Sequence, residues 1–222
     1  VNSAAPLSGR RLVVSAGPTY EDIDPVRYIG NRSSGKMGFA IAEAAARAGA
    51  EVALVAGPVR LDTPAGVRRT DVRSAAQLRE AVLAALPADA YVGAAAVADW
   101  TPRAAAPGKL KKRDGQDTLT LELVRTPDVL AEVAAHPALR PRIVVGFAAE
   151  TEALEANARA KLGRKRVDFV AANLVGAPGT GFETDDNALV VYGCDGSVLP
   201  LGPAPKRALA EALVRLIAER LD

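Results

Sequence analysis

The chain has 222 residues, of which 49% are hydrophobic and 24% charged, with a net charge of +2. That is apolar material enough for one large domain, or a domain with an arm, while the near-neutral balance supplies no strongly basic field for nucleic acid beyond local patches. A single cysteine (Cys194) and a single histidine (His136) exclude an internal disulfide and a cysteine-built metal cluster, and disfavour Ser-His-Asp and Cys-His catalysis. No run reaches the roughly twenty apolar residues of a membrane span and no signal peptide opens the chain, so a soluble, cytoplasmic protein is expected.

Residues 1–10 are small and polar and read as a linker, with one domain expected over residues 11–222. Arg11–Ala16 (RLVVSA) is a short apolar run suited to a buried strand, stopped by Gly17-Pro18. The stretch Asp24–Gly38 (DPVRYIGNRSSGKMG) follows, a glycine- and serine-rich loop that carries Arg27, Asn31 and Lys36 and runs into an alanine-rich helix over Lys36–Gly49. Loop N–H groups and the free N–H groups of a helix's first turn form an anion cradle. Gly17, Ser33, Ser34, Gly35 and Lys36 are therefore candidates for holding a phosphate or carboxylate.

Two familiar phosphate motifs do not fit. Gly30–Lys36 satisfies G-x-x-x-x-G-K, but Met37 stands where Ser or Thr should ligate magnesium, and the strand ends too early, near Ala16. No G-x-G-x-x-G occurs at the first strand–helix turn, and the second strand (Val52–Ala56) ends in Gly57-Pro58 without the acid that holds a ribose hydroxyl.

Further along, Gly66–Val72 reads as a third strand, and Ser74 with Gln77 as a capping box opening a helix whose Leu78, Val82 and Leu86 share a face. Tyr91–Ala98 (YVGAAAVA) is a fourth strand, its small residues open to close ligand approach, and it ends in Asp99-Trp100. Residues 101–125 break the alternation and are the candidate arm. They carry Lys109, Lys111, Lys112 and Arg113, and a short strand over Thr118–Leu123. Thr126 is expected to cap a helix with Pro127 at its first position. Arg142–Phe147, a helix capped by Thr151, and Val167–Ala172 continue the pattern. A Gly/Pro-rich loop from Gly176 then leads to a hairpin over Ala188–Leu199 and a last helix from about Pro205 to Leu221. His136, before Pro137 at a helix end, reads as a surface residue.

This alternation argues for an α/β fold, a Rossmann-like, mostly parallel sheet with helices on both faces and a projecting arm or flap. Ligands of such sheets bind beyond the carboxyl ends of the strands. Arg27, Asn31 and Lys36 follow the first strand, Asp99 the fourth, and Phe147 and Glu150 the fifth; Lys161 and Lys165 lie one turn apart on the next helix. Several cations and one acid, with no nucleophilic triad, suit phosphoryl or nucleotidyl transfer, which depends on positioning and charge neutralisation. Asp99 is then a candidate for magnesium or for nucleotide hydroxyls, or else a plain turn cap.

In order, DPVRYIGNRSSGKMGFAIAEAAARAGAEVALVAGP, AAAVADW, KLKK, TPDVL, VVGFAAET and GFETDDNAL resemble the bacterial phosphopantothenoylcysteine synthetase family, from about Gly9 to Asp222. That resemblance implies a CTP-dependent ligase with Mg²⁺. In it, 4′-phosphopantothenate is activated as an acyl-cytidylate with loss of pyrophosphate, and the amine of L-cysteine then displaces CMP. It implies Asn31, Arg27 and Lys109 as catalytic residues. It also implies CTP contacts at Gly93, Ala94, Ala95, Asp99, Lys109, Pro127, Asp128, Val129, Leu130, Phe147, Lys161 and Lys165. It further implies a homodimer, a mobile arm that carries Lys109, and an isolated synthetase domain, natural or excised, without the flavin-dependent decarboxylase half to which such domains are usually fused. Without the resemblance, the residues leave open a dinucleotide-binding α/β enzyme with an unusual phosphate loop and a non-catalytic nucleotide-binding domain.

Overall fold

The computed structural model describes residues 5–112, 114–115, 117–150, 152–174 and 186–222. Arg113, the Thr151 cap and the Gly/Pro-rich loop from Gly176 fall outside the described residues. In chain order the elements begin with β1 (Arg11–Ala16), the hairpin β2 (Tyr20–Asp22) and β3 (Tyr28–Gly30), α1 (Lys36–Arg47), β4 (Glu51–Ala56), β5 (Val67–Asp71), α2 (Ala75–Ala84) and β6 (Ala90–Gly93). There follow β7 (Trp100–Pro102), β8 (Leu123–Arg125), α3 (Val129–Ala134), β9 (Ile143–Glu150), α4 (Leu154–Lys165), β10 (Phe169–Leu174), β11 (Asp186–Gly193), β12 (Val198–Pro205) and α5 (Lys206–Leu221).

β1 is buried along almost its whole length, and successive side chains enter opposite cores, as a strand covered on both faces requires. Leu12, Val14 and Ala16 pack into one core with Ile41 and Ala45 of α1 and Leu213 and Ile217 of α5. Val13, on the other face, joins Leu78 and Val82 of α2, Val133 of α3 and Ala158 of α4. The eight-stranded sheet has the order β12-β11-β10-β9-β6-β1-β4-β5. β5, β4, β1, β6, β9 and β10 are parallel, and β11 and β12 add an antiparallel end. The expected α/β class with helices on both faces is what the chain forms. Its two edge strands are VRRTD and VLPLGPAP, one carrying Arg68 and Arg69 and the other three prolines.

Local chemistry explains several boundaries. Ser74 and Gln77 form the expected capping box on α2, a cap of about 1 kcal/mol. Gly49, at φ +92°, takes the left-handed position after α1 where a side chain would be strained. Gly38 lets α1 lie directly on β1: a Cβ there would stand 2.5 Å from the Cβ of Ala16. No helix among the described residues is long and apolar enough to cross a membrane.

Four expectations are corrected. The strand over Tyr91–Ala98 ends at Gly93. Beyond it the N–H groups of Ala94, Ala96 and Ala98 still bond to the chain leaving β1, at the Ser15 carbonyl, the Gly17 carbonyl and the Thr19 hydroxyl, with one parallel bridge between Pro18 and Ala96, but the pairing with β9 stops at Gly93. In the arm, the strand is Leu123–Arg125, paired antiparallel with Trp100–Pro102, and not Thr118–Leu123. Thr126 does not cap α3, because its hydroxyl donates to the Ala98 carbonyl at 2.6 Å; Asp128 caps the helix by accepting from the Ala131 N–H. The final hairpin runs on to Pro205, longer than expected.

Candidate active site

The winding of the chain creates the crevice. From β1 it proceeds through β4 and β5 to one side, then returns to place β6 on the other, so the order reverses between β1 and β6. Beyond the carboxyl ends of strands at such a reversal, the flanking loops part and leave room for a ligand. A cavity of about 480 Å³ lies there, floored by Ser15 of β1, Tyr91 and Gly93 of β6 and Phe147 of β9.

The floor is tightly built. Ser15 and Tyr91 are 1% exposed, and their hydroxyls share a hydrogen bond of 3.0 Å. Burial pushes the Tyr91 hydroxyl up to about 12, against the opposing pull of its bond with Ser15, so it stays protonated at neutral pH. Two glycines make room for Leu130 of α3. A Cβ on Gly146 would lie 2.6 Å from its Cδ2, and one on Gly93 3.2 Å from its Cδ1.

One wall is cationic. Lys161 and Lys165, one turn apart on α4, both face the cavity. The Lys161 Nζ donates to the Phe147 carbonyl at 2.6 Å, and Lys165 forms an ion pair with Asp128, the α3 cap. Burial lowers the pKa of both lysines, while the Asp99 carboxylate on the rim acts in the other direction on each. Asp99 is held by its backbone, its carbonyl accepting from Thr126 N–H at 3.0 Å, which leaves its side chain facing the opening. Among the described residues no group of three His, Cys, Asp or Glu side chains converges on a metal position.

Beside the cavity runs the loop after β1. Asn31 donates from Nδ2 to the carbonyl of Val97, itself a lining residue, at 2.9 Å. Further on, Gly35 at φ +75° is the left-handed residue that starts α1 without a side-chain cap, and it packs against Gly17 at φ +78°. Gly17, Ser33, Ser34, Gly35 and Lys36 thus gather at the α1 N-terminus, adjoining the cavity but not lining it. Arg27 pairs with Asp24 and donates to the Leu110 carbonyl at 2.9 Å, so the residue after Lys109 is tied to the β2–β3 hairpin.

The sequence matches the family described as DNA/pantothenate metabolism flavoprotein C-terminal domain over residues 7–221. The chain belongs to that family. It is 50% identical over 217 residues to the coenzyme A biosynthesis bifunctional protein CoaBC of Vibrio cholerae, covering 97% of this chain and 54% of that protein. With the protein of the same name from Escherichia coli K12 it shares 50% identity over 219 residues, 97% of this chain and 53% of the relative. The chain therefore spans about half the length of the curated relatives it matches. A crystal structure of the C-terminal domain of CoaBC superposes with a TM-score of 0.81 at 36% identity, covering 97% of each chain.

Of the residues that the family resemblance assigns to CTP, the cavity brings together Gly93, Ala95, Asp99, Pro127, Asp128, Val129, Leu130, Phe147, Lys161 and Lys165. Ala94 is turned away, its N–H bonded to Ser15, and Lys109 stands outside on the arm, exposed. Ser15, Tyr91, Val97 and Arg125 also line the cavity and were not singled out from the sequence. Ser15 and Gly93 are register partners, so the choice of Gly93 implied its neighbour once the pairing of β1 with β6 was known. His136 is structural: its Nδ1 accepts from the N–H groups of Ala138 and Leu139 at the end of α3.

Proposed function

We propose that this chain is a phosphopantothenoylcysteine synthetase, a CTP-dependent ligase of coenzyme A biosynthesis. The single observation that carries the reading is the convergence of Lys161 and Lys165, from one helix, on a switch-point cavity that Asn31 borders through Val97. Membership of the family, and relatives named as coenzyme A biosynthesis bifunctional proteins, support it.

In the first step a carboxylate oxygen of 4′-phosphopantothenate attacks the α-phosphate of CTP, and the bond to the β-phosphate breaks to release pyrophosphate. The charge that gathers on the phosphate oxygens is what Lys161 and Lys165 are placed to neutralise; in a desolvated wall each is worth more than in water. Lys109, carried on the arm, acts on the α-phosphate. The Ser33–Lys36 loop and the α1 N-terminus receive the phosphate of phosphopantothenate. In the second step the cysteine amine attacks the activated carbonyl, loses a proton, and CMP departs with the former carboxylate oxygen. Asn31 holds that carbonyl through its amide, and Arg27 positions the anionic intermediate. Gly93 and Ala95 let the base approach the strand backbone.

A magnesium ion fits the donor set as one carried by the nucleotide: Asp99 is the rim carboxylate without an ion pair among the described residues, and Mg²⁺ usually takes one or two carboxylates beside phosphate oxygens and waters. Bound there by Asp99, it would supply further charge neutralisation on the polyphosphate. The same reading includes a cytoplasmic location and a homodimer built around the arm. Val26, Tyr28 and Trp100 are exposed at its base.

The test is pyrophosphate release with Mg²⁺, 4′-phosphopantothenate and either CTP or ATP, with and without cysteine. CTP-selective release, with an amide product only when cysteine is present, is the expected result. No release with either nucleotide from folded protein refutes the assignment.

A further inference from the structure

Asp24 has a fully covered side chain although it belongs to a surface hairpin turn. Its two oxygens have different partners. Oδ1 accepts from the backbone N–H groups of Val26 and Arg27, each at 2.8 Å, and shapes the turn. Oδ2 receives the Arg27 guanidinium, with Nε at 3.0 Å, and, from 86 residues away, the N–H of Leu110 at 3.1 Å. Arg27 completes the ring by donating to the Leu110 carbonyl at 2.9 Å. Both backbone polar groups of the residue next to Lys109 are therefore held by one acid–base pair. The root of the arm is tied to the same hairpin by the Ala106 N–H, which donates to the Ile23 carbonyl at 2.9 Å.

We propose that Asp24 is the positioning residue of the arm: through Oδ2 it docks Leu110, and so fixes Lys109 and Arg27 as one unit on the hairpin that leads into Asn31. The docking stands on geometry alone, whereas its catalytic consequence rests on the ligase reading. Hydrogen bonds to an ionised carboxylate are about twice as strong as neutral ones, and Asp24 is ionised at neutral pH. The Arg27 guanidinium holds its carboxyl well below the usual range in spite of burial, with help from the N–H groups of Leu110, Val26 and Arg27. Asp24 is not itself a lining residue of the cavity. It acts through the two cations it locates.

Asp24→Asn separates the two oxygens. The amide oxygen can keep the Val26 and Arg27 N–H groups, but the NH₂ then faces the Leu110 N–H and the guanidinium, donor against donor. Leu110→Pro removes the docking N–H from the other side and leaves the acid in place. The readouts are trypsin cleavage of the exposed Lys111–Lys112 bond, which stays a trypsin site in both variants, kcat for pyrophosphate release, and the KM for cysteine. In both variants cleavage of that bond is expected to accelerate by roughly ten- to a hundredfold, as loss of a charged hydrogen bond implies. The value of kcat falls about tenfold or more, with the KM for cysteine within about twofold and cleavage at Lys and Arg bonds outside residues 101–125 unchanged. Unchanged cleavage at Lys111, or equal acceleration along the whole chain, overturns the docking role; faster cleavage with unchanged kcat overturns the positioning role. If the wild type releases no pyrophosphate while cleavage responds as stated, the docking holds and the ligase reading falls. Should Asp24→Asn fail to fold, Leu110→Pro decides by the same criteria.

Discussion

Gly57 offers a sharp test of how the loops around the site are held. It follows β4, its N–H donates to the Ala16 carbonyl at 2.8 Å, and a Cβ on it would stand 1.7 Å from the Pro18 carbonyl oxygen. Close C···O contacts lie at about 3.3–3.6 Å, so Gly57→Ala requires one backbone to retreat by about 1.6 Å or more. Overpacking that forces backbone shifts costs about 1–3 kcal/mol and sometimes more, and a clash with a carbonyl that cannot rotate away belongs at about 3 kcal/mol. For a chain of 222 residues each kcal/mol moves Tm by about 2–4 °C, giving a fall of about 6–12 °C. The displaced segment is the one whose Gly17 carbonyl and Thr19 N–H bond with Ala96, so the cavity rim shifts with it and pyrophosphate release falls further than the loss of folded protein accounts for. Gly163→Ala is the matched control. Nothing lies within 4 Å of its Cβ position inside α4, and replacing a helical glycine gains about 0.5–1 kcal/mol. Differential scanning calorimetry on the two variants reads both signs. A Gly57→Ala protein that melts within a degree or two of wild type would falsify the steric argument.

Three further outcomes are expected. Tyr91→Phe leaves the buried Ser15 hydroxyl without its partner and should cost about 1–3 kcal/mol in urea denaturation, whereas Ser15→Ala with Tyr91→Phe should recover much of it; strictly additive losses would contradict the pairing. Gly146→Ala drives Leu130 into the cavity, so CTP affinity measured by calorimetry should fall about tenfold with little change in fold, and unchanged affinity would mean that Leu130 yields elsewhere. Lys161 has its pKa lowered by burial, so the unfolded chain binds its proton more readily, and stability gains as pH rises from the folded value towards the unfolded value of about 10.4. Lys161→Met should lack that alkaline gain and bind CTP more weakly; parallel pH–stability curves for the two proteins would refute the burial account.

How far the sequence carried depended on whether a feature was local. Arg11–Ala16 and the Ser74–Gln77 box were legible because apolar runs and cap chemistry act within a few residues. The end of β6 was not, because Ala94–Ala98 is as apolar as a strand and keeps bonding to the chain after β1, and only the loss of its β9 partner beyond Gly93 ends the ladder. Thr126 and Asp128 are both good caps, and the Ala98 carbonyl, 28 residues away, takes the threonine. For the site, the family resemblance supplied Lys161 and Lys165, but that α4 turns both into the cavity is a packing outcome. Tyr91 went unnoticed because a buried tyrosine in an apolar strand looks like core until its hydroxyl partner is placed.

The two borders of the central sheet set how copies of the chain can meet. Prolines 200, 203 and 205 in β12 have no N–H to offer a ninth strand, and β5 carries the ion pairs of Arg68 with Glu51 and Arg69 with Asp71, which an incoming strand would have to accommodate. Fibre-like growth by strand addition is thus discouraged at both ends of the eight-stranded sheet. Any stable pairing of two chains must then be made by side-chain surfaces and not by a shared sheet.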